Sequence, residues 1–147
     1  QNCACNCGQS SFITKTQPVA RFTCHCTICQ KLYNKPFANF TVLLAKNVEL
    51  IDHQEIKFAK HRLPPALTRG ICTSCNSPVI AFLRRAPFLK LAFVPSSHYP
   101  DQSLLPATSG HIFYHSRVDD IVDALPKYNG YWRSEWEVSK AILAGLL

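Results

Sequence analysis

Seven of the eight cysteines fall into three tight clusters: Cys5-Asn6-Cys7, Cys24-His25-Cys26-Thr27-Ile28-Cys29 and Cys72-Thr73-Ser74-Cys75. Thiols two or three positions apart can converge on a single metal ion. They are poorly placed to pair with each other, because a bridge inside C-x-C must close a very small, strained ring. C-x-x-C can form a redox disulfide, but that motif normally stands alone at a helix start. Here it has a C-x-C counterpart far upstream. Disulfide-dense chains are mostly short and secreted. This one has 147 residues and 47% hydrophobic content, enough for a core without staples. The clusters therefore read as metal ligands. An all-sulfur, tetrahedral, redox-inert site suits zinc, and iron can take the same thiolates.

The clusters divide unequally. Cys24, Cys26 and Cys29 lie within what reads as one short loop and can hold one ion together. That leaves Cys5, Cys7, Cys72 and Cys75 as two distant pairs. Joining them on a second ion closes a long loop, which is costly for the free chain and rewarding to pin with a metal. Four thiolates make a closed structural site, whereas three leave a coordination position open. Two completions of the triad stay open at this level, Cys3 and His25. His25 sits between two ligands, which favours a supporting or solvent-facing place for it. Gly8 and Asn76, each directly after a cysteine pair, tolerate the positive φ that cysteine knuckles require.

The rest of the chain reads mainly as strands. Residues 11–16, 19–23, 37–44, 48–51, 55–58, 78–83, 88–94 and 111–114 are alternating or β-branched and aromatic runs. Ten prolines punctuate the turns between them. Residues 133–147 differ. Helix formers dominate from Glu135 onward, and Trp136, Ala141, Ile142 and Leu143 fall near helical spacing, so a short terminal helix packed on the body is expected. The expectation is a single domain over residues 1–147, mainly β.

The net charge is +7, with a pI near 9.1. This balance favours anionic partners such as a carboxylate-bearing small molecule. Lysines and arginines are scattered, and only residues 57–62 and Arg84-Arg85 are dense, which argues against nucleic acid. No apolar run approaches the roughly 20 residues of a bilayer span. No signal-like segment opens the sequence, and thiolate–metal sites survive in reducing compartments, so the expectation is cytoplasmic. A homo-oligomer is compatible with the sequence.

The order Cys5-x-Cys7-Gly8, Cys24-His25-Cys26-x-x-Cys29, Pro36-Phe37 and Arg69-x-x-Cys72-x-x-Cys75-x-x-Pro78 resembles the glutathione-dependent formaldehyde-activating enzyme (Gfa) family, which shares its domain with centromere protein V. The later His111-Ile112-Phe113, Ser116-Arg117 and Leu125-Pro126 are similar to the family's C-terminal segment. The resemblance implies stacked antiparallel sheets, the β-tent. It also implies a structural Zn2+ on Cys5, Cys7, Cys72 and Cys75, and a second, open Zn2+ site on Cys24, Cys26 and Cys29. The implied activity is that of a carbon–sulfur lyase joining or releasing glutathione and formaldehyde. The alternative is a non-catalytic zinc-binding module for a protein or nucleic-acid partner. No catalytic residue is assigned by the sequence. His25, His111 and Arg117 are candidate donors to a developing alkoxide. Three departures from the family pattern stand out: Asn76 in place of glycine, no Ser-Gly pair within Gln30-Lys31-Leu32-Tyr33-Asn34, and a short Arg117-to-Leu125 segment lacking Pro-Trp. Cys3 has no counterpart in the pattern.

Overall fold

A computed structural model describes all 147 residues. Ten strands form two sheets. The small sheet has the order β1 (Asn2–Ala4), β2 (Ser11–Thr14), β5 (Val48–Asp52). The large one runs β10 (His111–Ile112), β3 (Ala20–Cys24), β4 (Ala38–Leu44), β9 (Leu89–Pro95), β8 (Pro78–Ala86), β7 (Thr68–Cys72), β6 (Ile56–Lys60). Every pairing is antiparallel except β10 with β3, which is parallel. Two α-helices complete the fold, α1 (Thr27–Tyr33) and α2 (Tyr131–Leu146).

The large sheet is the middle of three layers, and side-chain alternation explains why. In β4, Ala38, Phe40 and Val42 join one core cluster with Phe22, Leu91, Cys29 of α1, and Val138 and Ile142 of α2. Leu43 joins the other cluster, with Phe12 of the small sheet, Val79, Ala92 and Val94. Thr41 points the same way as Leu43, and its hydroxyl meets the Tyr99 hydroxyl at 2.8 Å. A strand buried on both faces needs apolar residues at both parities, which is why residues 37–44 read as an almost continuous apolar run.

Most expected strands are present with ends shifted by up to three residues, and the mainly β reading with a short terminal helix holds. Several local expectations need correction. Residues 24–29 are not a loop. Cys24 ends β3, Cys26 is the N-cap of α1 and accepts from Cys29 N–H at 3.4 Å, and Cys29 lies inside the helix. Seven residues are too few for a clear helical period. β7 was not foreseen, because its central Gly70 breaks the apolar run. The strand expected over 111–114 stops at Ile112. Phe113 takes a left-handed conformation with φ 51°, its N–H held by Ser134 Oγ at 2.9 Å. α2 starts at Tyr131 rather than in the 133–135 region, with Gly130 as a cap that offers no side chain. Its buried residues are Ser134, Glu137, Val138 and Ile142, while Trp136 and Leu143 are exposed.

Phe22, fully buried beneath the helices, stacks on Phe40 at 6.2 Å between ring centroids. Phe22→Ala should therefore cost about 3–5 kcal/mol in denaturant unfolding. Phe88→Ala, at a hairpin tip where the ring is 93% exposed, should stay within about 0.5 kcal/mol.

Candidate metal centres

The sulfurs of Cys5, Cys7, Cys72 and Cys75 all lie within 4.8 Å of one another. Cys5 Sγ is 3.6 Å from Cys7 Sγ, and Cys7 Sγ is 3.8 Å from Cys72 Sγ. A disulfide needs about 2.05 Å. Metal–sulfur bonds of about 2.3 Å, the zinc value, put tetrahedral sulfurs about 3.8 Å apart. The spacing fits a shared ion, and every cysteine is free.

Two similar backbone turns build this cluster. Cys5 N–H donates to the Ser10 carbonyl at 2.9 Å, and Cys72 N–H donates to the Ser77 carbonyl at 3.0 Å. Each turn carries one left-handed residue, Gly8 at φ 79° and Asn76 at φ 56°. Both positions were expected from sequence, so asparagine serves where the family has glycine. Ser10 N–H points at Cys5 Sγ at 3.4 Å, and the Ser77 hydroxyl is 2.9 Å from Cys75 Sγ. The cluster joins the β1–β2 turn to the β7–β8 turn, on the side of the large sheet that meets the small one.

The second group is Cys24, Cys26 and Cys29, again within 4.8 Å. It lies on the opposite face of the large sheet, in the helix-side core. Three thiols in contact do not ionise together. The hydrogen bond from Cys24, then that from Cys29, pulls the Cys26 thiol well down, while the contact with Cys26 holds the Cys24 thiol well up. A bound cation removes that limit, since a coordinating thiol is deprotonated outright. Arg69 of β7 supplies part of this charge already, with Nη1 3.7 Å from Cys29 Sγ. β7 thus serves both clusters. Arg69 faces the triad, and Cys72, three residues on, faces the four-cysteine group.

Neither open completion of the triad is realised. Cys3 is buried in the other core cluster, its thiol turned toward the Gln1 carbonyl at 3.8 Å. His25 is buried as well, against the solvent-facing alternative, and points away from the triad. Its Nε2 meets His111 Nδ1 at 2.9 Å, and His111 Nε2 meets Asp123 Oδ2 at 2.7 Å. Asp123 in turn holds Lys127 Nζ at 2.6 Å. With the carboxylate accepting from His111 Nε2–H, His111 Nδ1 accepts from His25 Nε2–H when both rings are neutral. The chain fixes the turn that carries Cys24 and Cys26. Gln30 fixes it from the helix side, donating to the His25 carbonyl at 2.6 Å and the Ser116 carbonyl at 2.8 Å. The two stretches that depart from the family pattern therefore supply anchors, Gln30 in one and Asp123 in the other.

The triad opens onto a cavity of about 340 Å³ between the large sheet, α1 and α2. His25, His111 and Arg117, the donors considered from sequence, are not in its wall. Arg117 pairs with Asp120 and stacks over Tyr114 instead. The polar groups that do line it include Tyr33, Arg62, Arg69 and Arg85. Sequence reasoning quoted Arg69 only as part of a motif. Its position three residues before Cys72 on an alternating strand is the signal that it faces the other cysteine group.

A family model described as glutathione-dependent formaldehyde-activating enzyme matches residues 1–116. The chain belongs to that family. A crystal structure of a Rhodobacter sphaeroides protein, a Northeast Structural Genomics target, aligns with a TM-score of 0.55 at 11% identity, covering 68% of this chain and 88% of that one. At that identity it supports the fold alone. No curated protein matches the chain. No helix is long and apolar enough to cross a membrane.

Burial first, then His111 and Arg117, pushes His25 down to about 4. An unfolded histidine takes up its proton near 6.5. Between those values the unfolded chain binds the extra proton, so stability falls as the pH drops through that window. The fall should be no steeper than about 1.4 kcal/mol per pH unit, the slope for one proton. The NMR resonances of this ring should titrate near 4, and titration above 6 would contradict the buried hydrogen-bonded placement.

Proposed function

We propose that each cysteine group of this Gfa-family chain holds one Zn2+, and that the chain is a carbon–sulfur lyase of the S-hydroxymethylglutathione synthase type. Its substrate would be the adduct of an aldehyde with glutathione or another small thiol. The observation that carries this reading is the inequality of the two groups. Four sulfurs enclose one position, while three sulfurs face a cavity of about 340 Å³, within the usual range for small-molecule sites. Zinc on three thiolates would leave a coordination place for a substrate sulfur and lower the pKa of a thiol bound there.

The chain's own residues supply the rest. Arg69 offsets the negative charge gathered at the triad. Tyr33 lines the same cavity, and burial holds its phenol well above its ordinary value, so it stays protonated and able to donate. Arg62 and Arg85 stand at the exposed rim, where cations suit the two carboxylates of glutathione. In the cleavage direction the C–S bond of the thiohemiacetal breaks and its electron pair stays on sulfur. The hydroxyl loses its proton as the C=O double bond forms, and the thiolate regains a proton on release. No oxidant is required. A cytoplasmic setting, where thiols stay reduced, fits this chemistry.

Metal counting on two variants tests the unequal roles. Cys72→Ser should unfold the protein, because it removes the ion that joins the two turns. Cys24→Ser should lose one metal equivalent and keep the fold. If both variants collapse alike, both ions are structural and a non-catalytic zinc module becomes the better reading. Arg69→Ala should lower kcat/KM for S-hydroxymethylglutathione cleavage about 10- to 100-fold. Calorimetry that finds no glutathione binding at millimolar ligand, with both metals present, would overturn the substrate assignment.

A further inference from the structure

The family match ends at residue 116, yet α2, which begins at Tyr131, walls the cavity beside the triad. Val138 and Ile142 of α2 belong to the same core cluster as Cys24 and Cys29. Across the space stand Phe40 and Leu91 of the sheet, and α1 adds Ile28 and Leu32. The charged groups gather at the rim and are partly engaged there. Arg85 reaches Glu135 at 3.5 Å and Ser139 at 3.1 Å, and the Arg62 guanidinium lies 4.8 Å over the Tyr131 ring. The rim is thus cationic and the interior apolar, with three sulfurs at one end.

The one-carbon adduct of glutathione brings a polar peptide and a single carbon to this apolar wall, so little apolar surface is matched. An alkyl or aryl chain would bury apolar surface against it, each added methylene tightening binding roughly fourfold. We propose that α2 closes the space beside the three cysteines into an apolar chamber, and that the chamber selects thiols and thiol–aldehyde adducts carrying a hydrocarbon chain over the one-carbon adduct. The inference rests on the reading that the triad meets its substrate in this cavity.

Calorimetry of the zinc-loaded protein with straight-chain alkanethiols, from about two to about eight carbons, tests it directly. The dissociation constant should fall roughly three- to fourfold per methylene and level off once the chamber is full. Val138→Phe, which fills part of the space, should bring that plateau to shorter chains. Leu32→Gln, on the half-buried face of α1, should flatten the slope and serves if the first variant folds poorly. A series that is flat in the unsubstituted protein overturns the proposal. So does a slope unchanged in a folded variant, which would place the chains elsewhere. Cleavage of S-hydroxymethylglutathione is measured alongside. Cleavage with a flat alkanethiol series defeats the chamber and spares the lyase reading. A steep series without cleavage of any thiol–aldehyde adduct does the reverse.

Discussion

Thiols crowded within 4.8 Å of one another cannot all carry charge without a cation among them. Most of the structure around the two clusters answers that constraint. Backbone N–H groups of Ser10 and Cys29 point at sulfur, the Ser77 hydroxyl sits beside Cys75, and Arg69 lies against Cys29. Donors aimed at sulfur favour the thiolate over the thiol. A chain that merely buried its cysteines as small hydrophobes would have no need of them, and Cys3 shows the contrast. Its thiol turns toward the Gln1 carbonyl, and burial pushes it up.

The two clusters stay separate because the large sheet lies between them. Successive strand residues point to opposite faces, so β7 can send Arg69 one way and Cys72 the other. β3 delivers Cys24 to the helix side, while the β1–β2 and β7–β8 turns meet on the small-sheet side. The sheet keeps the two groups apart, and the triad is the one that faces the cavity. The difference lies in what surrounds each group. Two symmetric backbone turns enclose the four-cysteine group. The triad has a turn and a helix start on one side and open space on the other.

Much of this was legible in the sequence, and the gaps have physical causes. C-x-C, C-H-C-x-x-C and C-x-x-C are local signals, so the grouping of the sulfurs, the turns after Cys7 and Cys75 and the long β4 run could be read directly. α1 could not. Its seven residues offer less than two full turns of periodicity, and its N-cap is a cysteine already claimed as a ligand. β7 was hidden by Gly70, which has room only for a hydrogen because Ile56, Phe58 and the Ile80 carbonyl crowd it. The histidine chain joins residues 86 apart in sequence through side-chain geometry that no spacing encodes. Trp136 and Leu143 misled for the opposite reason. They are large and apolar, but the buried residues of α2 are Ser134, Glu137, Val138 and Ile142.

α2 shows how a family frame acquires a property of its own without a change in its ligands. The segment before it runs alongside β10, with His111 N–H donating to the Pro126 carbonyl and Tyr128 N–H to the His111 carbonyl, both at 2.8 Å. His111 is therefore pinned twice, by its backbone to the segment that leads into α2 and by its ring to Asp123 and His25. Ser134 then ties the helix back to Phe113 through that residue's N–H. The same short stretch, residues 111–113, orients the turn bearing Cys24 and Cys26 and seats the helix that roofs the cavity. Changes in α2 can reshape the space in front of the sulfurs while β3 and α1 keep the sulfurs in place.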